Sequence, residues 1–476
     1  MHARLESFLG KQSTIYDHQF GFRKLHSCEH ALLAAQSNLL EAMNKKQIAL
    51  LLLVDFSKAF DMVDHDILLN KLDHYGIRGK ALNWLSTYLK GRKQYVHVNG
   101  TSSEIKLLEY GVPQGSILGP LLFVIYINDL PHSSELAKFI LYADDANIII
   151  TGDNELELQR KYNILTTAIE KWVNTNGLLL NVTKTKYMIF SNKKILIDLD
   201  VKYANKPIER KTSAKFLGVL INENLNWNDH IAALRLKMSR NAGILFKVKG
   251  ILPIKAMKTL YHCFIHSHLN YCSTIWGLGS KSSLEPLFIA QKRAIRSLIP
   301  GFVNYFYNKE TQEKPHKTKQ AFNTNSILTV HNQVLVNSLT HLQKIILGVA
   351  PTAMNALLYK HSDPSTISNR NNGTRRTIPN NTSQPRLQAQ RNYLFYKAVR
   401  IYKEIYDLYN SDEEININSL TIKPFKRIIK EYLMAIHSLD TADEWTIKNF
   451  RLYDGTRKSV RIASLNQNSA IRESLE

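Results

Sequence analysis

The stretch KFILYADDANIIIT, residues 138–151, decides the fold of this chain. An apolar run at 139–143 meets Asp144 and Asp145, and a second, largely apolar run follows at 147–150. Two short runs separated by a two-residue polar break predict a β-hairpin with the Asp-Asp pair as its turn. Two adjacent anions repel each other, so a fold retains such a pair most readily when a cation lies against it.

A third carboxylate of the same kind lies upstream, at the end of the continuous apolar run IALLLLVDF, residues 48–56. This run is too short to cross a membrane and predicts a fully buried strand that ends at Asp55. If that strand pairs with the hairpin, Asp55 comes beside Asp144 and Asp145. Three carboxylates at one end of a sheet offer the hard oxygen ligands that Mg²⁺ prefers. The alternative is that Asp-Asp is simply a polar turn.

The composition points to a polyanionic partner. The chain has 476 residues, a formal net charge of +22 and a pI near 9.6. So large a basic excess is typical of nucleic-acid-binding proteins, although a merely basic solvated surface is the alternative. The hydrophobic content of 44% is ordinary for a globular protein and leaves room for a large core.

The cysteines and the apolar runs predict the compartment. Three cysteines, Cys28, Cys263 and Cys272, give no disulfide framework, so we expect no disulfide partner and a reducing environment. Neither a signal sequence nor a membrane-length apolar run is recognisable. We therefore expect a soluble intracellular protein that has no membrane partner, with nucleus or cytoplasm left open.

Six stretches, taken in order, resemble the consecutive polymerase motifs of reverse transcriptases from non-long-terminal-repeat (LINE-like) retrotransposons. One motif alone would carry little weight, but six in the family's order identify the resemblance, which extends from about residue 18 to about residue 300. The chain begins after the family's upstream fingers strands and lacks its endonuclease region, so we expect an N-terminally truncated member. The stretches are QFGFR at 19–23, LVDFSKAFDMVDH at 53–65, GVPQGSILGPLLF at 111–123, YADD at 142–145, GLLLNVTKTK at 177–186 and KFLGVLI at 215–221.

The resemblance implies an α+β fold, a right-hand polymerase palm with an antiparallel sheet backed by helices. Residues 1–222 would be partial fingers and palm (the reverse transcriptase domain), and residues 223–300 a helical thumb. The thumb segment contains eleven Lys or Arg against three Asp or Glu, which suits a surface that grips a nucleic-acid duplex. Residues 301–476 would be a helical C-terminal extension with a disordered basic linker over about 361–390.

By resemblance, the chemistry is RNA-directed DNA synthesis by two-metal phosphoryl transfer. The partners are an RNA template, a DNA primer and deoxynucleoside triphosphates. Asp55 and Asp144 would bridge two Mg²⁺ ions, for which Mn²⁺ is a possible substitute. Asp145 would help to hold the site, and the Phe56 carbonyl would add a neutral ligand. Lys184, preferred over Lys186, would protonate the departing pyrophosphate, although a surface lysine beside a strand is the commoner reading.

The family pattern also implies substrate contacts. Phe60 would pack under the sugar of the incoming nucleotide and leave no room for a 2′-hydroxyl, although it could equally be plain core. Gln114 and Gly115 would line the nucleotide and template site. Arg23 would contact the triphosphate or template, or else be a structural arginine beside a glycine turn. The hairpin that holds the primer end would carry Phe216, Leu217 and Gly218.

Other readings remain open at this stage. The chain could be a catalytically inactive nucleic-acid-binding remnant of a transposon, which its missing fingers and endonuclease would favour. Another palm enzyme, such as a nucleotide cyclase, is disfavoured by the PQG loop and the basic thumb. His262 and His266 share a helix face, but no paired Cys-x-x-Cys accompanies them, so we expect ordinary helix residues rather than a zinc site.

Overall fold

The computed structural model describes residues 1–192, 197–299, 318–360, 394, 398–399, 401–402 and 420–439. They group into two units, one of residues 1–225 with 350–360, and one of residues 226–349 with the described residues after 360. The predicted linker at 361–390 lies outside the described residues. None of the helices in the described ranges is long and apolar enough to cross a membrane.

The first unit combines helices with a sheet, as expected for the α+β class. Its helices are α1 His2–Lys11, α2 Cys28–Asn44, α3 His65–His74, α4 Lys80–Leu89, α5 Gly119–Ile127, α6 Glu155–Thr175 and, numbered in chain order, α14 Thr352–Lys360. Its strands are β1 Ile48–Val54, β2 Lys93–Gln94, β3 His97–Val98, β4 Thr101–Ser102, β5 Lys106–Leu107, β6 Ala137–Tyr142, β7 Asp145–Gly152, β8 Lys186–Phe190, β9 Lys202–Tyr203, β10 Lys206–Pro207, β11 Glu209–Arg210, β12 Ser213–Phe216 and β13 Val219–Asn222.

The main sheet has β1 at its centre. Among the described residues its strand order is β11-β8-β1-β7-β6. Strand β1 runs antiparallel to both β7 and β8, and β7 runs antiparallel to β6, while the short β11 is parallel to β8. The pairing of β1 with the hairpin, on which the sequence interpretation depends, is therefore present.

The continuous apolar run of β1 reflects burial on both faces of the sheet. Leu50, Leu52 and Val54 belong to one core cluster, which also takes in the apolar stripe of α6. Leu51, which points to the other face, is likewise fully buried, and helix α2 contacts β1, β6 and β7. Helices thus cover the sheet and hold the ends of β1 and β7 in a fixed place.

The segment between α4 and α5 differs from the sequence prediction. The alternation over residues 93–100 predicts a half-buried strand, but every residue from 90 to 107 is exposed. Residues 103–111 are the expected hairpin partner of this strand. The pairing does occur, as two short antiparallel ladders, β2 with β5 and β3 with β4. The prediction of burial was wrong because no described helix or sheet layer covers these two short ladders. An alternating apolar and polar sequence does not by itself ensure that another element packs on the apolar face.

The second unit is helical in its described part. Its elements are α7 Asn228–Val248, α8 Ile254–Tyr261, a π-helical turn His262–His266, α9 Ser267–Asn270, α10 Ser273–Trp276, α11 Lys281–Arg296, α12 Thr318–Thr324, α13 Val330–Ile346 and α15 Ile422–Leu439. Helix α7 buries one stripe that includes Leu234, Met238 and Leu245. Its basic residues Arg235 and Lys237 are exposed.

We expect acid to destabilise the second unit through His230. Burial lowers the pKa of His230 to about 4, and its ring packs 5.5 Å from that of Trp276. The unfolded chain therefore binds a proton below its pKa of about 6.5 while the folded chain does not, so stability should fall as the pH drops from about 6.5 towards 4. Thermal unfolding at pH 5 and 7.5 measures this. His230→Phe should weaken the dependence without abolishing it, because burial also lowers the pKa of His266 to about 4. The exposed His97→Phe should leave the dependence unchanged, and equal profiles for the parent and His230→Phe would contradict the assignment.

Candidate active site

The register of the sheet brings the sequence-predicted carboxylates to one edge. Val54 pairs with Ala146 across β1 and β7, so Asp55, the next residue, lies beside Asp145 at the same end of the sheet. The three carboxylates are close enough to interact, because the charge of Asp55 contributes to a raised pKa at both Asp144 and Asp145. Residues about 90 positions apart in the chain therefore share one site.

The turn of the hairpin is shifted by one residue from the prediction. Tyr142 pairs with Asp145, so the two-residue turn is Ala143–Asp144, and Asp145 already belongs to β7. The predicted Asp144–Asp145 turn was wrong because the ladder continues one residue further than the apolar pattern. Ala143 has a φ of +56°, a left-handed conformation typical of the first central residue of a tight hairpin turn. The shift places the two carboxylates in different settings, one on the turn and one on the strand.

Asp144 and Asp145 both have a raised proton affinity. Burial, followed by the charges of Asp144 and Asp55, raises the pKa of Asp145 to about 6. Burial, followed by a smaller contribution from Asp55, also raises the pKa of Asp144. The side chain of Asp145 is exposed, and its carboxylate is repelled by those of Asp144 and Asp55. A cation placed here would relieve that repulsion.

The chemistry of the cluster fits a hard divalent cation. Oδ2 of Asp55 is buried and accepts no hydrogen bond, which leaves it available to a ligand that supplies positive charge. Within the part of the chain that the structure describes, however, no group of three His, Cys, Asp or Glu side chains is already gathered closely enough to hold a metal. The donor set fits, and the side chains would have to draw together around an ion.

The loop before β8 closes over the end of β1. The Asn181 N–H donates to the Asp55 carbonyl at 2.8 Å, and the Ser57 N–H donates to the Leu179 carbonyl at 2.8 Å. Neither bond uses the carbonyl of Phe56, the residue between them, which was predicted to face the metal. Phe56 itself is buried.

The same loop places one lysine near the carboxylates. Nζ of Lys184 lies 3.9 Å from Oδ2 of Asp55, and its side chain is 69% exposed. Lys186 instead forms an ion pair with Glu209 at 2.8 Å. Of the two lysines considered from sequence, Lys184 is therefore the one placed at the site.

Phe60 lies within a stack of aromatic rings. Its ring stacks on that of Phe123 with centroids 4.3 Å apart, and the exposed Phe22 meets it edge-on at 6.3 Å. Phe123 is fully buried on α5, so its ring supports the stacked ring of Phe60 in a fixed position. Phe60 is partly buried against the core, as the alternative reading expected, and its contact with the sugar of a nucleotide stays a prediction.

The PQG loop is tied to the segment that carries Phe60. The Val112 N–H donates to the Phe60 carbonyl at 2.9 Å, and Nε2 of Gln114 donates to Oδ1 of Asp61 at 2.7 Å. Gly111 has a φ of +90° and a Cβ there would meet the Asp61 backbone at 3.0 Å, so glycine is required for this approach. Asp61 is thus the partner of Gln114. Gly115, with a φ of +83°, lies next to it on the loop.

Arg23 faces the backbone. Its guanidinium donates to the carbonyls of Tyr16 at 2.8 Å and Gln19 at 3.1 Å, and burial lowers its pKa. These contacts match the structural reading that the sequence left open. Its contact with a triphosphate or template stays a prediction.

The predicted primer-holding hairpin is formed by β12 and β13. Phe216 pairs with Val219, and the turn between them has positive φ at both Leu217, +43°, and Gly218, +84°. Two positive φ values are typical of a type I′ turn, for which glycine is favoured at the second position. Phe216 is buried, so it anchors the hairpin, and its role towards a primer stays a prediction.

Sequence reasoning missed Gln19 and Phe123 as parts of this site. Gln19 is 1% exposed and its side chain contacts the Ala143 turn, although a lone glutamine two residues before a glycine gives no local signal of that contact. Phe123 reads simply as one residue of an apolar helix. A cavity of about 760 Å³ elsewhere in the first unit, lined by residues such as Lys71 and Trp172, contains none of the predicted site residues.

Known proteins resemble this chain over part of its length. A model of the family "Reverse transcriptase (RNA-dependent DNA polymerase)" matches residues 1–221. A probable RNA-directed DNA polymerase from transposon BS of Drosophila melanogaster is 28% identical over 62% of this chain and 34% of its own length. The RNA-directed DNA polymerase from mobile element jockey of Drosophila funebris is 26% identical over 59% of this chain and 31% of its own length. The chain thus spans about a third of the length of these curated relatives.

Solved structures of telomerases also align. One from Candida albicans, in complex with a fragment of telomeric RNA, aligns with 64% of this chain and 57% of its own at a TM-score of 0.37 and 14% identity. A score this low supports no conclusion. The match of the family model, together with the retrotransposon relatives and the motif order, carries the assignment instead. Residues 1–221 of this chain therefore belong to the reverse transcriptase (RNA-dependent DNA polymerase) family.

Proposed function

We propose that this chain is an RNA-directed DNA polymerase of a retrotransposon, which extends a DNA primer on an RNA template with deoxynucleoside triphosphates. The observation that carries the proposal is the pairing of β1 with β7, which sets Asp55 beside Asp144 and Asp145. Family membership of residues 1–221 supports the same reaction class. In this proposal residues 1–222 are partial fingers and palm, residues 223–300 the thumb, and residues 301–476 a helical extension.

Asp55 and Asp144 would hold two Mg²⁺ ions, with Asp145 and the Phe56 carbonyl in support. When bound, the ions would activate the primer 3′-hydroxyl and neutralise the leaving pyrophosphate. Phe60, stacked on Phe123, would orient the sugar of the incoming nucleotide. The exposed basic residues of the second unit would contact phosphates of the template and primer without regard to sequence.

Primer extension tests the proposal directly. A DNA primer annealed to an RNA template, with deoxynucleotides and Mg²⁺, should be extended, and chelation of the metal should stop extension. A chain that binds the RNA–DNA hybrid but incorporates nothing with Mg²⁺ or Mn²⁺ would refute the proposal.

A chain that binds the RNA–DNA hybrid without incorporating nucleotides would be a catalytically inactive, nucleic-acid-binding remnant of a transposon. One observation favours it: across the described residues no three acidic, histidine or cysteine side chains are already gathered as a metal site. Equilibrium binding of the same hybrid, measured with and without Mg²⁺, separates the two functions. A polymerase should need the ion for incorporation, and a remnant should bind with or without it and do nothing more.

We expect Lys184 and Lys186 to differ in their effect on extension. If Lys184 protonates the pyrophosphate, Lys184→Met should slow single-turnover incorporation about a hundredfold. Lys186, held by Glu209, should tolerate the same change, so Lys186→Met is the matched control. Rapid-quench measurement of a single nucleotide addition distinguishes them. Equal rates for the two variants would return Lys184 to the status of a surface lysine.

A further inference from the structure

The side chain of Gln19 joins the QFGFR segment to the carboxylate hairpin. Its Oε1 accepts two hydrogen bonds, from the Gly21 N–H at 2.9 Å and from the Ala143 N–H at 3.1 Å. Gln19 is 1% exposed, so these bonds are shielded from water and are correspondingly hard to replace. Ala143 is the residue immediately before Asp144.

The backbone around Gln19 reinforces this junction. The Phe20 N–H donates to the Leu141 carbonyl at 2.8 Å and the Leu141 N–H donates to the His18 carbonyl at 2.9 Å, so Gln19 forms a parallel bridge with Leu141 on β6. The Arg23 guanidinium donates to the carbonyl of Gln19 itself at 3.1 Å. Backbone bonds to β6 and this bond from Arg23 therefore together restrain the position of Gln19.

Gly21 shows how closely the two segments approach. A Cβ at this position would lie 2.3 Å from the Ala143 nitrogen and 2.9 Å from the Tyr142 carbonyl carbon. Neither is a flexible side-chain atom that could move aside. Only glycine fits, which makes the contact between this segment and the hairpin turn a built feature of the fold.

Ala143 needs such support. It has a φ of +56°, which an alanine rarely adopts because its Cβ crowds the backbone. The hydrogen bond from its N–H to Gln19 holds the peptide in that conformation, and the direction of the Asp144 side chain follows from it. A turn free to relax would move Asp144 relative to Asp55.

We propose that Gln19 is a positioning residue, which fixes the Ala143–Asp144 turn so that Asp144 and Asp55 can share a divalent ion. The inference rests on the proposed polymerase function for its catalytic consequence. The hydrogen bonds from the Gly21 and Ala143 N–H groups to Gln19, which we call the clamp, are a property of the fold. It assigns to the QFGFR segment a role in building the metal site, in addition to any contact with substrate.

The chemistry of the amide supplies a sharp pair of variants. Nε2 of Gln19 is buried and donates no hydrogen bond, so all of the contact to the turn passes through Oε1. Gln19→Met keeps the length and removes the acceptor. Gln19→Glu keeps the length and an acceptor oxygen and gives up a donor that has no partner. Burial and the nearby carboxylates favour the neutral, protonated form of this glutamate, which is the form that mimics the amide. Gln36→Met is the matched control, because Gln36 is 3% exposed and lies on α2.

Hydrogen–deuterium exchange of peptides that cover residues 141–145, with no metal or substrate, tests the clamp without reference to activity. Gln19→Met should speed exchange at the Ala143 amide, whereas Gln19→Glu and Gln36→Met should not. Unchanged exchange in Gln19→Met would overturn the proposal. If Gln19→Met does not fold, as judged by circular dichroism, loss of protection in Gln19→Glu overturns it instead, and retained protection supports it.

Primer extension as a function of Mg²⁺ concentration tests the consequence. Gln19→Met should raise the half-saturating Mg²⁺ about tenfold or more, with a smaller loss at saturating metal, and Gln19→Glu should restore most of the affinity. An equal loss at every Mg²⁺ concentration would indicate general damage and contradict positioning. If the parent chain extends nothing, the polymerase proposal fails, while the exchange result still decides the clamp.

Discussion

Asp144→Asn should lower the rate of Mg²⁺-dependent primer extension by about 10³-fold or more, which corresponds to about 4 kcal/mol of lost transition-state stabilisation. Asn is nearly the same size and keeps one oxygen, but it removes the negative charge that draws the ions to the end of β7. The fold should persist, because Asp144 lies on the turn and replacing it relieves repulsion from Asp145. Rapid-quench kinetics at saturating nucleotide gives the rate.

Asp153→Asn is the matched control for Asp144. Asp153 follows the end of β7 opposite to Asp145, and its side chain accepts a hydrogen bond from Gln47 at 2.8 Å. It should leave extension close to the parent rate. Equal extension by Asp144→Asn and the parent would remove this carboxylate from the mechanism and leave the remnant function standing.

Phe60→Ala should relax the choice between deoxyribonucleotides and ribonucleotides by about a hundredfold. Phe60 stacks on the buried Phe123, so its ring cannot swing away to admit a 2′-hydroxyl. Removal of the ring opens that space without altering the carboxylates. The ratio of kcat/KM for a deoxynucleotide and its ribonucleotide, on the same template, measures the effect.

Phe60→Leu separates bulk from aromatic stacking. Leucine fills much of the same volume, so it should keep most of the discrimination even though the ring contact with Phe123 is lost. A thermal-unfolding scan of both variants accounts for the stability lost with a half-buried ring. If neither variant changes the sugar preference, Phe60 belongs to the core alone, and the role suggested by the family pattern is rejected.

Elements that depend on local pattern were predicted closely from the sequence. The apolar stripe over residues 28–44 predicts a helix from local pattern alone, and α2 occupies Cys28–Asn44 with Ser27 as its N-cap. The two apolar runs that end in carboxylates predicted the strands, but their pairing was a condition that the sequence left open and that the ladder of β1 with β7 meets.

The finer features depend on contacts between distant parts of the chain. The turn lies at Ala143–Asp144, not at the two aspartates, because the ladder continues to Asp145 and Gln19 holds the Ala143 N–H. A pattern of apolar and polar residues carries no record of that hydrogen bond. The partnership of Asp61 with Gln114 is similarly invisible, as 53 residues separate them.

The short bridge of Gln19 to β6 has a consequence for solubility. Strand β6 lies at the rim of the main sheet, where bare N–H and C=O groups would invite the same strand of another molecule. The residues around Gln19 occupy those groups at Leu141, beside the turn. A chain that lacked residues 1–20 would expose the apolar edge strand β6. Self-association through that edge would then compete with folding, before any effect on catalysis could be measured.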